Sequence, residues 1–170
     1  MKDVENTVEL LLTYAIEIEY KAAQIYGTLS ELFPQVPGLS AFWQGLKNDE
    51  LAHVDILRQT QMQMTPEQLL RNPGSKTWKD LKNLQLLLSS DLLAEVNTLD
   101  DAYELAHDLE FSEVNTIFQY LTVDCIPSEK RKQLIKSTIG DHQKKISDFS
   151  RTFGDREWRR SISVQNVQGS

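Results

Sequence analysis

Hydrophobic residues recur along the chain at intervals of three and four positions, which is the spacing of one face of an α-helix. Seven glycines and five prolines lie mostly between these periodic stretches and leave long segments without a helix breaker. The pattern therefore predicts an all-α protein with four main helices.

Breakers and capping residues predict where these helices end. The prolines of "FPQVPG" end the first helix because proline cannot continue its hydrogen-bonding pattern. Ser40 is a candidate cap of the second helix, and "TLDD" is typical of a helix start with acids in the first turn. The predicted helices cover about residues 3–33, 39–62, 98–124 and 128–153.

Two of the links are short and one is long, as in four-helix bundles whose second and third helices run parallel. The long connection, residues 64–97, contains the apolar piece "WKDLKNLQLLL", which is either a further helix or an extended crossover. Residues 154–170 lack sustained periodicity. We therefore expect a bundle domain over residues 1–153 and a flexible tail, from which Trp158 could still pack against the bundle.

Carboxylates and imidazoles interrupt the apolar stripe of each predicted helix near its midpoint. In the first helix, steps of four and three residues place Glu19 inward, whereas Glu17 falls on another stripe and should face solvent or the flank of the helix. The other inward polar positions are Glu50 and His53 on the second helix, Glu110 and Glu113 on the third, and His142 on the fourth.

Burial makes this pattern informative, because an ionised carboxylate in an apolar core costs several kcal/mol unless a partner compensates it. Divalent or trivalent cations would provide a common counterion for the whole group. Carboxylate and imidazole ligands suit iron first, with manganese or zinc as alternatives.

The order of these residues repeats along the chain. Glu19 precedes Glu50 and His53 by 31 and 34 residues, and Glu110 precedes positions 139 and 142 by 29 and 32. One position breaks the repeat, because Ile139 stands where a carboxylate is expected. Asp141 is a poor substitute, since it lies about 200° around the helix from position 139.

Each candidate also has an ordinary explanation when taken alone. Glu113 could be a flank residue misassigned by one position, and His142 could be a hydrogen-bonded core histidine. Tyr26 is most simply a core residue whose hydroxyl binds a neighbour. His107 is interpreted as a surface histidine or as a partner of a ligand. The metal interpretation depends on all the candidates occurring together on four helices.

Composition narrows the class of protein. The chain has 170 residues, enough for one substantial core, and a formal net charge of -7, which argues against nucleic-acid binding. A single cysteine, Cys125, excludes an internal disulfide and a CxxC site and favours a reducing, cytoplasmic location. No apolar run is long enough to span a membrane, and the first residues are too acidic for a secretory signal.

The segments "IEYKAAQIY", "LKNDELAHVDIL" and "LEFSEVNTIF" resemble the E-x6-Y, E-x-x-H and E-x-x-E segments of the rubrerythrin group in the ferritin-like di-iron carboxylate superfamily. The resemblance covers about residues 5–150 and is weaker in the fourth helix. It implies a ferritin-like four-helix bundle and a di-iron centre in which Glu50 bridges the metals. The implied ligands are Glu19, Glu50, His53, Glu110, Glu113 and His142.

Two departures from that family limit what the resemblance implies. The family has a second bridging glutamate where this chain has Ile139, so the site could hold two metals, one or none. The single cysteine excludes the rubredoxin domain of rubrerythrins proper, so an external electron donor protein would be needed. Dimers are common in the group, and a homodimer is therefore expected here.

Two functions remain open at this stage. The first is a non-haem iron oxidoreductase, a peroxidase or ferroxidase, in which Glu113 exchanges with His53 as the iron changes oxidation state, as the resemblance implies. The second is a non-catalytic metal-binding or interaction module with a degraded site. Haemerythrin-like oxygen binding is disfavoured because three histidines are too few for a histidine-rich centre.

Overall fold

The computed structural model describes residues 6–125 and 128–165 of the chain. These residues form helices and connecting turns. Within them no strand is present, although an isolated antiparallel bridge joins Thr98 to Ser163. The helices, in chain order, are α1 Val8–Leu32, α2 Leu39–Gln63, α3 Pro66–Leu69, α4 Ser75–Ser89, α5 Leu99–Glu110, α6 Glu113–Gln119, α7 Glu129–Ser147, α8 Phe149–Phe153 and α9 Arg156–Ser161.

Helices α1 and α2 form the most extensive helix pair. Helix α1 begins at Val8, later than expected, because the Thr7 side chain caps it by accepting a hydrogen bond from the Leu10 amide. Residues 1–5 lie outside the described part of the chain. Helix α2 begins as predicted, but Ser40 is not its cap. That position is held by Gly38, whose φ of 79° is left-handed and suits glycine.

The long connection contains a helix rather than an extended crossover. Helix α4 packs against α1 and α6 through buried Leu81 and Leu84. Before it, α3 is started by a reciprocal capping box between Thr65 and Gln68. After it, the 3₁₀ turn Leu92–Glu95 leads to α5. The middle connection therefore covers one side of the bundle.

The predicted third helix is interrupted. Helix α5 starts at the expected capping box of Thr98 and Asp101 but ends at Glu110, and α6 starts at Glu113 after Ser112 caps it. The chain then continues through the π-helical stretch Tyr120–Asp124. A serine that accepts a hydrogen bond from the amide of Val114 competes with helix continuation here, which explains the break.

The predicted fourth helix is also divided. Ser128 caps α7, which ends at Ser147, and α8 follows after Asp148. Together with α1, α2 and the arm formed by α5 and α6, helix α7 completes the four helical walls that surround the core.

Residues 154–165 differ from the expected flexible tail. Helix α9 packs on α5, and its Arg159 is only 3% exposed. The buried carboxylate of Asp100 binds Arg159 and also contacts Arg156 and Arg160. The backbone then runs beside α5, where the Leu99 amide donates to the carbonyl of Ile162. Trp158 is 41% exposed, so the arginines rather than this tryptophan attach the segment.

The buried apolar side chains form two clusters at opposite ends of the bundle. Trp43 and Phe149 belong to the first, and Leu12 and Phe118 to the second. Among the described residues, no helix is long and apolar enough to cross a membrane.

Candidate metal centre

Five ionisable side chains meet between the two apolar clusters. None of them is more than 4% exposed, and Glu17 lies on the exposed side of α1 as predicted. The inward orientation predicted for these residues is therefore confirmed. They are Glu19 from α1, Glu50 and His53 from α2, Glu110 from α5 and His142 from α7.

The spacing of residues along α2 explains how two of these groups reach one place. Glu50 and His53 are three residues apart and therefore lie on the same face, one turn from each other. Leu46 before them belongs to one apolar cluster and Leu57 after them to the other. Packing at both ends thus fixes the polar pair in the middle layer of the bundle.

His53 faces two carboxylates. Its Nδ1 lies 3.0 Å from Glu50 Oε2 and 3.5 Å from Glu19 Oε2. Burial lowers the pKa of His53, but hydrogen bonding and charge from Glu19 and Glu50 outweigh it and raise the pKa to about 10. Burial and the neighbouring Glu19 charge raise the pKa of Glu50 to about 7. The group therefore retains protons at neutral pH when no cation replaces them.

His142 approaches the other side of Glu50. Its Nδ1 lies 3.7 Å from Glu50 Oε1 and 3.4 Å from Glu110 Oε2. Its Nε2 lies 3.2 Å from Asp49 Oδ2. The two oxygens of Glu50 thus face different histidines, an arrangement in which one carboxylate can serve two metal positions.

Glu110 is held by a tyrosine from α1. The Tyr26 hydroxyl donates to Glu110 Oε1 over 2.7 Å, as expected for a core tyrosine with a polar partner. Its ring stacks on Trp43 with centroids 6.1 Å apart. Burial, followed by the Glu110 charge, raises the pKa of Tyr26 well above its usual value. Tyr26 therefore remains a hydrogen-bond donor and orients the Glu110 carboxylate.

Several polar atoms of this group have no hydrogen-bond partner. Unpartnered buried atoms are Glu19 Oε2, His53 Nε2 and both ring nitrogens of His142. Buried polar groups are normally satisfied, so such atoms indicate a missing ligand. One donor atom each from Glu50, His53 and His142 lies within 4.8 Å of the others. These residues fit a metal ion, which carboxylate and imidazole donors would coordinate.

The remaining predicted positions have different outcomes. Ile139 is partly buried and packs on an apolar cluster, and Asp141 is exposed, so neither adds a donor to the buried group. The His107 side chain is 43% exposed and stacks on Phe111, as expected for a surface histidine. The side chain of Glu113 lies outside the described part of the structure. Its proposed ligand role stays a prediction, although the continuous helix assumed for it is wrong.

Asp49 is the residue near the site that sequence reasoning missed. It precedes Glu50 and contacts both His142 and, through a short ion pair, Lys145 of α7. Its side chain is 31% exposed, so it does not belong to the apolar stripe by which the other residues were found. The only hint in the sequence was that this acidic residue directly precedes Glu50 in "NDELAH".

Comparison with known proteins supports the fold. No protein-family model matches the sequence. No curated protein matches it either. A Thermotoga maritima protein of known crystal structure, provisionally described as a ferritin-like diiron-carboxylate protein, is similar to this chain with a TM-score of 0.60. The identity is 20%, and the match covers 85% of this chain and 95% of the other.

The similarity confirms the predicted fold class, an all-α ferritin-like bundle. It does not distinguish a rubrerythrin-like protein from other proteins of that fold. The buried glutamate and histidines are a separate observation, made on this chain's own residues, and they support metal binding.

Proposed function

We propose that this protein binds non-haem iron between its four helical walls and uses it in redox chemistry. The observation that carries the proposal is the set of buried, unpartnered donor atoms on Glu19, His53 and His142 around Glu50. A cation would replace the protons that these groups otherwise retain, and it would give buried donors such as Glu19 Oε2 the partner that they lack.

The geometry supports two metal positions that share Glu50. Glu19, Glu50 and His53 would hold the first, since His53 lies near an oxygen of both carboxylates. Glu110, Glu50 and His142 would hold the second. Each position then has two carboxylates and one imidazole, a donor set suited to iron, with manganese or zinc as alternatives.

We further propose an oxidoreductase activity of the peroxide-scavenging or ferroxidase type. Bound iron would supply the electrons for reducing peroxide or dioxygen. The surrounding residues exclude bulk water, because the apolar clusters close the site above and below. Tyr26 fixes Glu110 through its hydroxyl, and Glu50 connects the two halves of the site. An external donor protein would then return electrons to the oxidised iron. We expect the active form to be a homodimer in the cytoplasm.

One observation favours a non-catalytic alternative. Ile139 packs on the apolar cluster where a fourth carboxylate would complete the second position. A protein with this substitution could hold a single metal for stability or sensing, or act as an interaction module without turnover. The number of bound metals therefore distinguishes the two functions.

Metal analysis of protein purified without added iron is the first test. We expect iron at close to two atoms per chain and a visible absorption that reduction removes and peroxide restores. One metal or fewer per chain, without a response to peroxide, would support the non-catalytic module. Absence of any tight binding of iron, manganese or zinc would contradict both.

A matched pair of variants connects the metal to the buried group. Glu19→Gln replaces the buried carboxylate of α1 by a neutral amide, whereas Glu17→Gln makes the same change on the exposed side of the helix. We expect the first to weaken metal binding at least tenfold and the second to leave it unchanged. If the Glu19→Gln and Glu17→Gln variants bind metal with equal affinity, Glu19 is not part of the metal site.

A further inference from the structure

A surface depression lies between α2 and α7, next to the buried donor group. Its cavity volume is about 390 Å³, and Asp49, Ala52, Asp141, His142 and Lys145 are among the residues that line it. Six waters occupy roughly 180 Å³ at about 30 Å³ each, so a cation with its hydration shell fits in this space.

His142 connects this depression to the interior. The residue is 2% exposed, and its Nε2 has no hydrogen-bond partner although Asp49 Oδ2 is 3.2 Å away. The other ring nitrogen faces Glu50 and Glu110. A single imidazole therefore separates the surface space from the buried carboxylates.

We propose that this depression binds a hydrated divalent cation and passes it to the buried donors. This inference rests on the proposed metal-binding function and assigns the route by which the metal arrives. The cation would first bind through its water shell to the exposed carboxylates and then lose water as the buried donors replace it.

The charges of the depression suit such a cation. Three carboxylates, those of Asp49, Asp141 and Asp148, line it together with Lys144 and Lys145. Lys144 and Arg151 pair with Asp148, and Lys145 pairs with Asp49, whereas Asp141 makes no ion pair within residues 6–125 and 128–165. A divalent ion can displace Lys145 because it carries more charge and because that side chain, 44% exposed, can move into solvent. The ion pair thus holds Asp49 beside His142 until a cation arrives.

Two other cavities that touch the buried group are too small for a hydrated ion. One lies beside Glu19 and Leu84, and the other beside Glu50 and Leu88; each has a volume of about 10 Å³. That volume corresponds to about one water. Helix α4 lines both through its leucines, so access from that side would require the helix to move.

The rate of cobalt(II) uptake by metal-free protein tests the route, with cobalt chloride as the probe and visible absorption as the signal. At low ionic strength, Asp141→Asn should slow uptake about threefold and Lys145→Gln should speed it by a similar factor, since each changes one charge at the mouth. Both effects should shrink at high salt. The final absorption should stay the same, because neither residue belongs to the buried group.

Controls separate the route from general charge effects. Glu17→Gln and Lys136→Gln make the same charge changes on exposed positions of α1 and α7 outside the depression, and should not alter the rate. Ala52→Trp, which narrows the depression, should slow uptake. Ala41→Trp, on an exposed position of α2, should not.

The outcomes distinguish this inference from the proposed function. If the wild type takes up cobalt but Asp141→Asn, Lys145→Gln and Ala52→Trp all retain its rate, the route is wrong and the metal site stands. Equal changes in the control variants would also overturn the route. If the wild type binds neither cobalt nor iron, manganese or zinc, the proposed metal-binding function itself fails.

Discussion

The imidazoles of His53 and His142 lie face to face across the bundle, with centroids 4.7 Å apart and planes 28° from parallel. Each approaches a different oxygen of Glu50. A histidine binds a metal through the lone pair of a deprotonated ring nitrogen, and the buried group retains protons while no metal is bound. Metal binding at this site must therefore be coupled to the release of protons.

Proton release on metal binding can be measured directly. The pKa of His53 is raised to about 10 and that of Glu50 to about 7, so at pH 8 the histidine is protonated and the glutamate mostly ionised. Zinc binding at pH 8 should release about one proton per chain, and more at pH 6, where Glu50 is also protonated. Calorimetry in two buffers of different ionisation enthalpy gives the number of protons released per chain.

The same coupling determines the pH dependence of affinity. Because protons compete with the metal, affinity should rise with pH up to about the His53 pKa. A binding enthalpy that does not depend on the buffer at pH 8 would show that metal binding displaces no proton and would contradict a protonated His53 in the metal-free protein.

Much of the site was predictable because helical periodicity relates sequence position to direction. Glu19 and Glu110 fall on apolar stripes, and the cost of burying them singly led to the expectation of a shared cation. Asp49 was missed because its side chain is partly exposed and does not lie on the apolar stripe of α2. The periodicity of α2 also cannot reveal a partner residue on a different helix. The contact of Asp49 with His142 depends on how α2 and α7 pack.

The ends of helices were harder to predict than their existence. The break between Glu110 and Glu113 depends on the capping hydrogen bond of Ser112. The capped break and a continuous helix differ only slightly in free energy, so the sequence does not decide between them. The packing of α9 depends on Asp100, which looks like an ordinary first-turn acid in "TLDD". Its burial arises from a contact with Arg159, 59 residues away, for which local patterns carry no signal.

Restoring the missing carboxylate should improve the metal site. Ile139→Glu places a carboxylate one turn before His142 on the same side of α7. We expect higher metal occupancy or affinity, measured by equilibrium dialysis. Without metal, the variant should be destabilised by about 1–3 kcal/mol, because a partly buried carboxyl replaces an apolar side chain.

Leu134→Glu is the matched control on the same helix. Leu134 is 63% exposed, so the same new charge should change neither metal binding nor stability appreciably. If the two variants bind metal equally well, position 139 does not face the site.

The hydroxyl of Tyr26 should stabilise the metal-free fold. Tyr26→Phe keeps the stacked ring but removes the hydrogen bond to Glu110 Oε1. The free energy of unfolding should fall by about 1.5–3 kcal/mol, the range for hydrogen bonds to charged groups. Urea denaturation of the metal-free protein measures the loss.

Tyr103→Phe provides the comparison, because the Tyr103 hydroxyl makes no hydrogen bond within residues 6–125 and 128–165. That variant should differ from the wild type by less than about 0.5 kcal/mol. An equal loss in both variants would mean that the Glu110 contact is not the source.

The last helix should depend on Asp100. Its carboxylate accepts a hydrogen bond from Arg159 Nε over 3.0 Å and lies 2.9 Å from a second guanidinium nitrogen. Asp100→Asn leaves the buried guanidinium without a counterion and should cost about 3–5 kcal/mol. Hydrogen exchange should show whether α9 detaches before the bundle unfolds. Asp108→Asn, on the exposed side of α5, should have little effect.

Acid should remove the stabilisation by Asp100 from the wild-type protein. Burial raises the pKa of Asp100, but hydrogen bonds and charges from Arg159, Arg156 and Arg160 outweigh burial and hold it below its usual value. Because the folded pKa is below the unfolded one, the stabilisation is complete above about pH 4, the ordinary aspartate value, and is lost as the pH falls through the folded pKa. The difference in unfolding free energy between wild type and Asp100→Asn should therefore be constant from pH 7 to about pH 5 and shrink below pH 4. A difference that persists unchanged at pH 3 would mean that the Asp100 charge is not what holds α9 in place.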